Sequence, residues 1–239
     1  MAPQDARVLS FDCFGTLIDW ESGIWAALAP LRTRAPSPIA REDALAAFAR
    51  LETAAEHADP APPYAEVLRT VHAGLARDWN VAADAAADRA FAAAIADWPA
   101  FPDTVAALRV LGQGRRLVIL SNVDRAGFAV TLPKLGVTFD AVLTAEEIGS
   151  YKPDPRNFAA LRARIAGFGL PPDALVHVAQ SLFHDHAPAN AAGIRSVWID
   201  RRGGAPGGAT AAPPPGVRYD LRCASLAEFA AVMGPFTSG

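Results

Sequence analysis

The feature that most constrains the fold is a short apolar run that stops at an aspartate. Val8-Leu9-Ser10-Phe11 leads into Asp12, and Cys13-Phe14-Gly15-Thr16-Leu17 follows with a Gly-Thr turn. An unbroken run of this kind, closed by a turn, reads as a strand buried on both faces, as in a parallel sheet covered by helices. Open parallel sheets bind their ligands at the carboxyl ends of their strands. Asp12 is therefore the first candidate for chemistry, with an ordinary turn residue as the competing reading.

The same pattern returns downstream. Leu117–Leu120 ends at Ser121-Asn122, Ala141–Leu143 at Thr144, Val176–Ala179 at Gln180-Ser181, and Ser196–Ile199 at Asp200. Helical spacing lies near 103–112, 125–135, 155–167 and 186–192. Strands alternating with helices predict βαβ units with right-handed crossovers. The expected fold class is α/β, a Rossmann-like doubly wound parallel sheet.

Between Thr16 and Trp98 the pattern is helical instead. Leu45, Phe48, Leu51 and Ala55 step by three and four, as do Val67, Val71 and Leu75, and then Phe91 and Ile95. Pro60, Pro62 and Pro63 separate the first two helices. The expected division is a core domain of 1–17 and 99–239 with an inserted helical domain of 18–98. Gly203–Pro215, rich in Gly, Ala and Pro, predicts an exposed, mobile loop. Ser225 and Glu228 have capping-box spacing and predict a last helix.

Composition removes several functions. Among 239 residues, 22 Lys and Arg stand against 25 Asp and Glu, a net charge of −3, which gives no basic footprint for nucleic acid. The two cysteines, Cys13 and Cys223, lie far apart and suggest neither a metal site nor a disulfide scaffold. No run approaches a membrane span, and Met1–Arg7 lacks the apolar stretch of a signal peptide. A soluble, cytoplasmic protein without membrane or nucleic-acid partners is expected.

Four motifs occur in order: Asp12-x-x-Gly15-Thr16, Ser121-Asn122, Tyr151-Lys152-Pro153-Asp154-Pro155, and Gln180-Ser181-Leu182-Phe183-His184-Asp185. Together they resemble the haloacid dehalogenase-like hydrolase superfamily. The wording Phe-Asp-Cys-Phe-Gly-Thr-Leu-Ile-Asp-Trp is most similar to its 2-haloacid dehalogenase branch. The resemblance covers about 1–17 and 99–235, and more loosely the helical insert, which it identifies as a cap domain.

The resemblance implies that Asp12 is the nucleophile, that Lys152 keeps it ionised, that Asp185 aligns a water, and that Thr16 belongs to the catalytic set. A compact ammonium beside a carboxylate suits that task. Ser121 and Asn122 are expected to donate hydrogen bonds to a substrate carboxylate or to Asp12, with Gln180 and Ser181 also on the substrate side. In the dehalogenases an arginine of the insert holds the anion. Arg50 is the candidate, with a solvated helix arginine as its equal alternative and Arg32 and Arg34 as rivals. Phe14 and Trp20 are expected to wall the pocket, while Trp25 reads rather as core. His177, inside an apolar strand, reads as a satisfied core histidine, and His184 as a pocket or packing residue.

Two departures bear on the reaction. Phosphatases of this type carry an aspartate two residues after the nucleophile to protonate an alkoxide; here that residue is Phe14. They also bind Mg²⁺ through an acidic pair in the fourth motif, whose first member here is His184. A halide leaves without a proton. The expected activity is metal-independent, cofactor-free hydrolysis of small 2-haloalkanoic acids to 2-hydroxy acids through an ester on Asp12. The alternatives are a Mg²⁺-dependent small-molecule phosphatase, a hydrolase opening another small carboxylate such as a strained ring, and an idle binding module. A homodimer is expected only by analogy with relatives.

Overall fold

The computed structural model describes residues 3–58, 63–205 and 207–236. Six strands form one sheet: β1 (Val8–Phe11), β2 (Arg116–Ser121), β3 (Ala141–Thr144), β4 (Leu175–Ala179), β5 (Arg195–Ile199) and β6 (Leu221–Cys223). Their order is β3-β2-β1-β4-β5-β6, and every pairing is parallel. The chain leaves β1 towards one edge and resumes at β4 towards the other, so the boundary between β1 and β4 is a topological switch point. All four residues of β1 are buried, as its unbroken apolar run requires. Phe11 pairs with Ile119 on one side and Val178 on the other. Asp12, Ser121 and Gln180 consequently leave the sheet along one edge.

Between β1 and β2 the described residues hold no strand, only helices. These are α1 (Trp20–Ala27), α2 (Ala29–Arg34), α3 (Arg41–Ala58), α4 (Tyr64–Asp78) and α5 (Ala85–Ala93), followed by α6 (Thr104–Leu111), which belongs to the sheet layers. The chain enters and leaves this insert side by side. Ile18 bridges Ala100 antiparallel, and Asp19 N–H donates to Pro99 O at 2.8 Å. Leu45, Phe48, Val67, Leu68, Val71, Leu75 and Phe91 form the insert's apolar seam. The buried lane of α3 then continues through Glu52 and Glu56, while Leu51 and Ala55 are half-buried. Pro60 and Pro62 lie outside the described residues, and Pro63 precedes α4.

The remaining helices are α7 (Arg125–Thr131), α8 (Ala145–Ile148), α9 (Pro155–Gly167), α10 (Ala187–Ala191) and α11 (Leu226–Met233). Ser225 caps α11 by accepting from Glu228 N–H, as its spacing predicts. β6 has no apolar run to announce it, only Leu-Arg-Cys.

The loop after β5 is largely exposed, as its composition suggests, but two of its residues turn inward. Gly208 and Ala209 are buried, and Ala209 N–H donates to Glu21 Oε1 at 2.9 Å. Arg202 reaches Glu21 of α1 and Glu42 of α3, each at 2.7 Å. The reason is charge: acidic residues on the insert face a basic residue on the core. Among the described residues no helix is long and apolar enough to cross a membrane.

Candidate active site

The turn after β1 is braced before it presents any chemistry. Thr104 Oγ1 donates to Leu17 O at 2.7 Å, and Arg201, paired with Asp103, donates to Thr16 O at 2.9 Å. Gly15 has φ +89°, and a Cβ there would stand 2.9 Å from Trp20 Nε1, so only glycine fits both the backbone and the space. This holds Asp12 at the end of β1 with 6% of its surface exposed.

Asp12 shares a cation with a second carboxylate. Lys152 Nζ lies 2.9 Å from Asp12 Oδ1, 2.6 Å from Asp185 Oδ1 and 3.1 Å from Leu120 O. An ammonium has three protons, and here each has an acceptor. Thr16 Oγ1 donates to Asp12 Oδ2 at 2.7 Å and accepts from Gln180 N–H at 2.9 Å, which aims its single proton at Asp12. Asp185 Oδ1 also meets His177 Nε2 at 2.9 Å, and His177 Nδ1 meets Ser10 Oγ at 2.8 Å. Asp185 Oδ2 is buried and has no partner.

Electrostatics separates the two acids. Burial pushes the Asp12 carboxyl above its ordinary range, while Lys152 and Thr16 pull it back. Burial acts against Asp185 too, but there the Lys152 ammonium and His177 prevail and hold it well below the usual carboxylate range. Lys152 is buried, yet its two carboxylates keep it charged, above an ordinary lysine. Burial takes His184 down to about 4, so it is neutral near pH 7.

The carboxylates face a cavity of about 40 Å³, room for about three waters. Phe14, Trp20, Ser121, Asn122, Ser181 and His184 line it. Ser121 Oγ is buried without a partner. Asn122 is largely committed elsewhere: its Oδ1 accepts from Lys152 N–H at 2.6 Å and its Nδ2 donates to Lys152 O at 3.0 Å, clamping the lysine's backbone. Ser181 Oγ accepts from His184 N–H at 2.9 Å, capping the turn that carries Asp185.

Three expectations are corrected. Arg50 does not line the cavity; it is exposed and ion-paired with Asp78 on α4. Two helical steps carry it about 200° from Phe48, to the opposite face. Arg32 stacks over Trp25, and Arg34 pairs with Asp84, so neither rival replaces it. Gln180 stands behind the site, holding Thr16 through its backbone N–H.

The sequence reading missed Glu52, Glu56, Tyr64 and Thr210, all on the cavity wall. Glu52 Oε1 accepts from Tyr64 OH at 2.5 Å, and Glu56 Oε1 accepts from Asn122 Nδ2 at 3.4 Å. Their signal was available: acidic residues four apart, continuing the Leu45–Phe48 lane. His177 is satisfied and buried, as expected, but its satisfaction comes from Asp185.

A family model described as haloacid dehalogenase-like hydrolase matches residues 6–193. The phosphoserine phosphatase of Thermus thermophilus is 34% identical over 107 residues, which span 44% of this chain and 42% of that protein's length. The L-2-haloacid dehalogenase of Xanthobacter autotrophicus superposes with a TM-score of 0.77 at 17% identity, over 95% of this chain and 98% of that one. A Bacillus subtilis protein described as a putative hydrolase of the same superfamily, bound to magnesium, superposes with a TM-score of 0.75 at 19% identity, again over 95% and 98%.

The residues between Asp12 and Asp185 do not fit magnesium. Lys152 Nζ occupies the space between Asp12 and Asp185, and the residue before Asp185 is a neutral imidazole. Among the described residues no group of three or more His, Cys, Asp or Glu side chains is placed to hold a metal ion.

Proposed function

The chain belongs to the haloacid dehalogenase-like hydrolases, and we propose that it hydrolyses a small molecule by direct attack of Asp12 on carbon. One carboxylate oxygen of Asp12 forms a C–O bond as the bond to a halide breaks, the electron pair leaving with the halide. Water then adds to the Asp12 carboxyl carbon. The ester C–O bond breaks, the departing oxygen takes one proton from that water, and the other proton goes to solvent, leaving an alcohol and a restored carboxylate.

The supporting observation is the buried Asp12–Lys152–Asp185 chain on a small cavity whose wall has phenylalanine where an acid would serve an alkoxide. Asp185 Oδ2, unpartnered, is the acceptor for the attacking water. His177 fixes the orientation of that carboxylate through its other oxygen. Phe14 and Trp20 keep bulk water from the ester.

A 2-haloalkanoic acid would have to place its carboxylate without Arg50, which is exposed and paired with Asp78, and without Lys152, whose three protons are already accepted. The Mg²⁺-dependent phosphatase reading has the partial match to phosphoserine phosphatase in its favour. Phe14 and the lysine-filled gap stand against it.

One turnover in ¹⁸O-water, followed by mass analysis of the Asp12 peptide, tests the mechanism. Label is expected in Asp12, whereas label confined to product would overturn covalent catalysis. Chloride release should be indifferent to EDTA and absent in Asp12→Asn. Phosphate-ester hydrolysis abolished by EDTA would favour the phosphatase.

A further inference from the structure

The cavity is acidic beyond the needs of the displacement. Asp12, Asp185, Glu52 and Glu56 line it, and Lys152 is the one lysine or arginine on its wall among the described residues. That ammonium already serves Asp12, Asp185 and Leu120 O, so it has no proton to offer an incoming anion. Glu52 and Glu56 sit on consecutive turns of the same face of α3 with 4% and 8% of their surface exposed. A second, independent feature marks the space as a ligand site: the buried Ser121 Oγ, which the displacement does not use, lacks a partner on the same wall.

We propose that the molecule attacked by Asp12 carries a protonated amine, which lies against Glu52 and Glu56, rather than the carboxylate of a haloacid. The inference rests on the reading of Asp12 as nucleophile, and it names the group on the far side of the reacting carbon. Two acids buried side by side cost the fold free energy and contribute no packing that leucine would not supply. Burial lifts Glu52 to about 8 and Glu56 well above its ordinary range, and the neighbouring Glu52 charge raises Glu56 further. The groups that face them are Tyr64 of α4, Asn122 after β2, and Lys152 beside Tyr151. An ammonium answers all of this at once: it favours ionised glutamates and donates to their oxygens. A carboxylate in the same place would find no available cation.

The test uses probes with no leaving group, so that binding is read apart from chemistry. Ethylammonium, propionate and ethanol are titrated into the wild-type protein by ligand-observed NMR. Ethylammonium is expected to bind at least about tenfold tighter than propionate, and to tighten as pH rises from about 6 to about 8. The Glu52→Gln/Glu56→Gln protein should lose about tenfold or more for ethylammonium while ethanol is unchanged. Propionate binding as tightly as ethylammonium, no ethylammonium binding, or equal binding by the double variant would each overturn the proposal. Should the double variant not fold, the three wild-type titrations still decide it. Ethylammonium bound without ¹⁸O in Asp12 would sink the nucleophile and spare this site; label in Asp12 without ethylammonium binding would do the reverse.

Discussion

Lys152 carries more of the molecule than its motif suggests. A lysine beside a loop proline is usually solvated, but this one is 1% exposed and bonded to two buried carboxylates and a strand carbonyl. Removing one partner from such a set leaves uncompensated charge in the interior, at about 3–5 kcal/mol. Lys152→Met should therefore lower stability by about that much in urea denaturation, with a loss in turnover on the order of 10²–10³-fold or more. Without the ammonium, burial and the Asp185 charge outweigh the Thr16 hydrogen bond, and the Asp12 carboxyl moves further up towards the protonated, unreactive form. A well-folded, active Lys152→Met protein would remove the lysine from the site. Asp12 was legible because it ends an apolar strand, whereas Lys152 and Asp185 were legible only through the resemblance of their motifs, since a loop lysine and a helix-start aspartate carry no signal of their own. His177 was not, because a histidine in an apolar strand reads the same whether its partner is structural or catalytic.

At the scale of the element, α3 shows where periodicity stops discriminating. Leu45 and Phe48 define its buried lane, and beyond them either Leu51 and Ala55 or Glu52 and Glu56 satisfy a helical step. Hydropathy alone selects the first pair; the fold buries the second more deeply because it faces the cavity. The consequence is measurable. The folded pKa of Glu52, about 8, lies above the unfolded value of 4.5, so between them the native state holds the extra proton and stability falls as pH rises. Unfolding free energy should drop by a few kcal/mol across that window, and Glu52→Gln should make the dependence shallower, leaving the part that Glu56 carries, while keeping an acceptor for Tyr64. A wild-type curve that is flat over the window would show the carboxyl to be hydrated. The strands, by contrast, were readable to within a residue or two, except β6, whose three residues include an arginine and carry no period.

At the scale of the whole molecule, the insert and the sheet are held together by charge as well as by the aromatic contact of Phe14 with Trp98, ring centroids 5.3 Å apart. Arg202 joins the loop after β5 to α1 through a largely buried pair with Glu21 and to α3 through a pair with the exposed Glu42. A pair with an exposed partner contributes about 0–1 kcal/mol, so the Glu21 pair carries most of the clasp. Arg202→Ala should speed amide exchange in α1 and at the start of α3; unchanged exchange would deny it that role. The α/β class was visible from the rhythm of apolar runs, whereas this clasp, made by residues 160 or more positions apart, has no local signature. The side-by-side stems at Ile18 and Ala100 have a larger consequence. A segment that departs and returns at one point can be exchanged as a cassette without disturbing the platform beneath it. On the proposed function, displacement at Asp12 and selectivity at α3 are thus separable inheritances, and transplanting residues 18–98 from a relative should retarget the hydrolase while sparing its nucleophile.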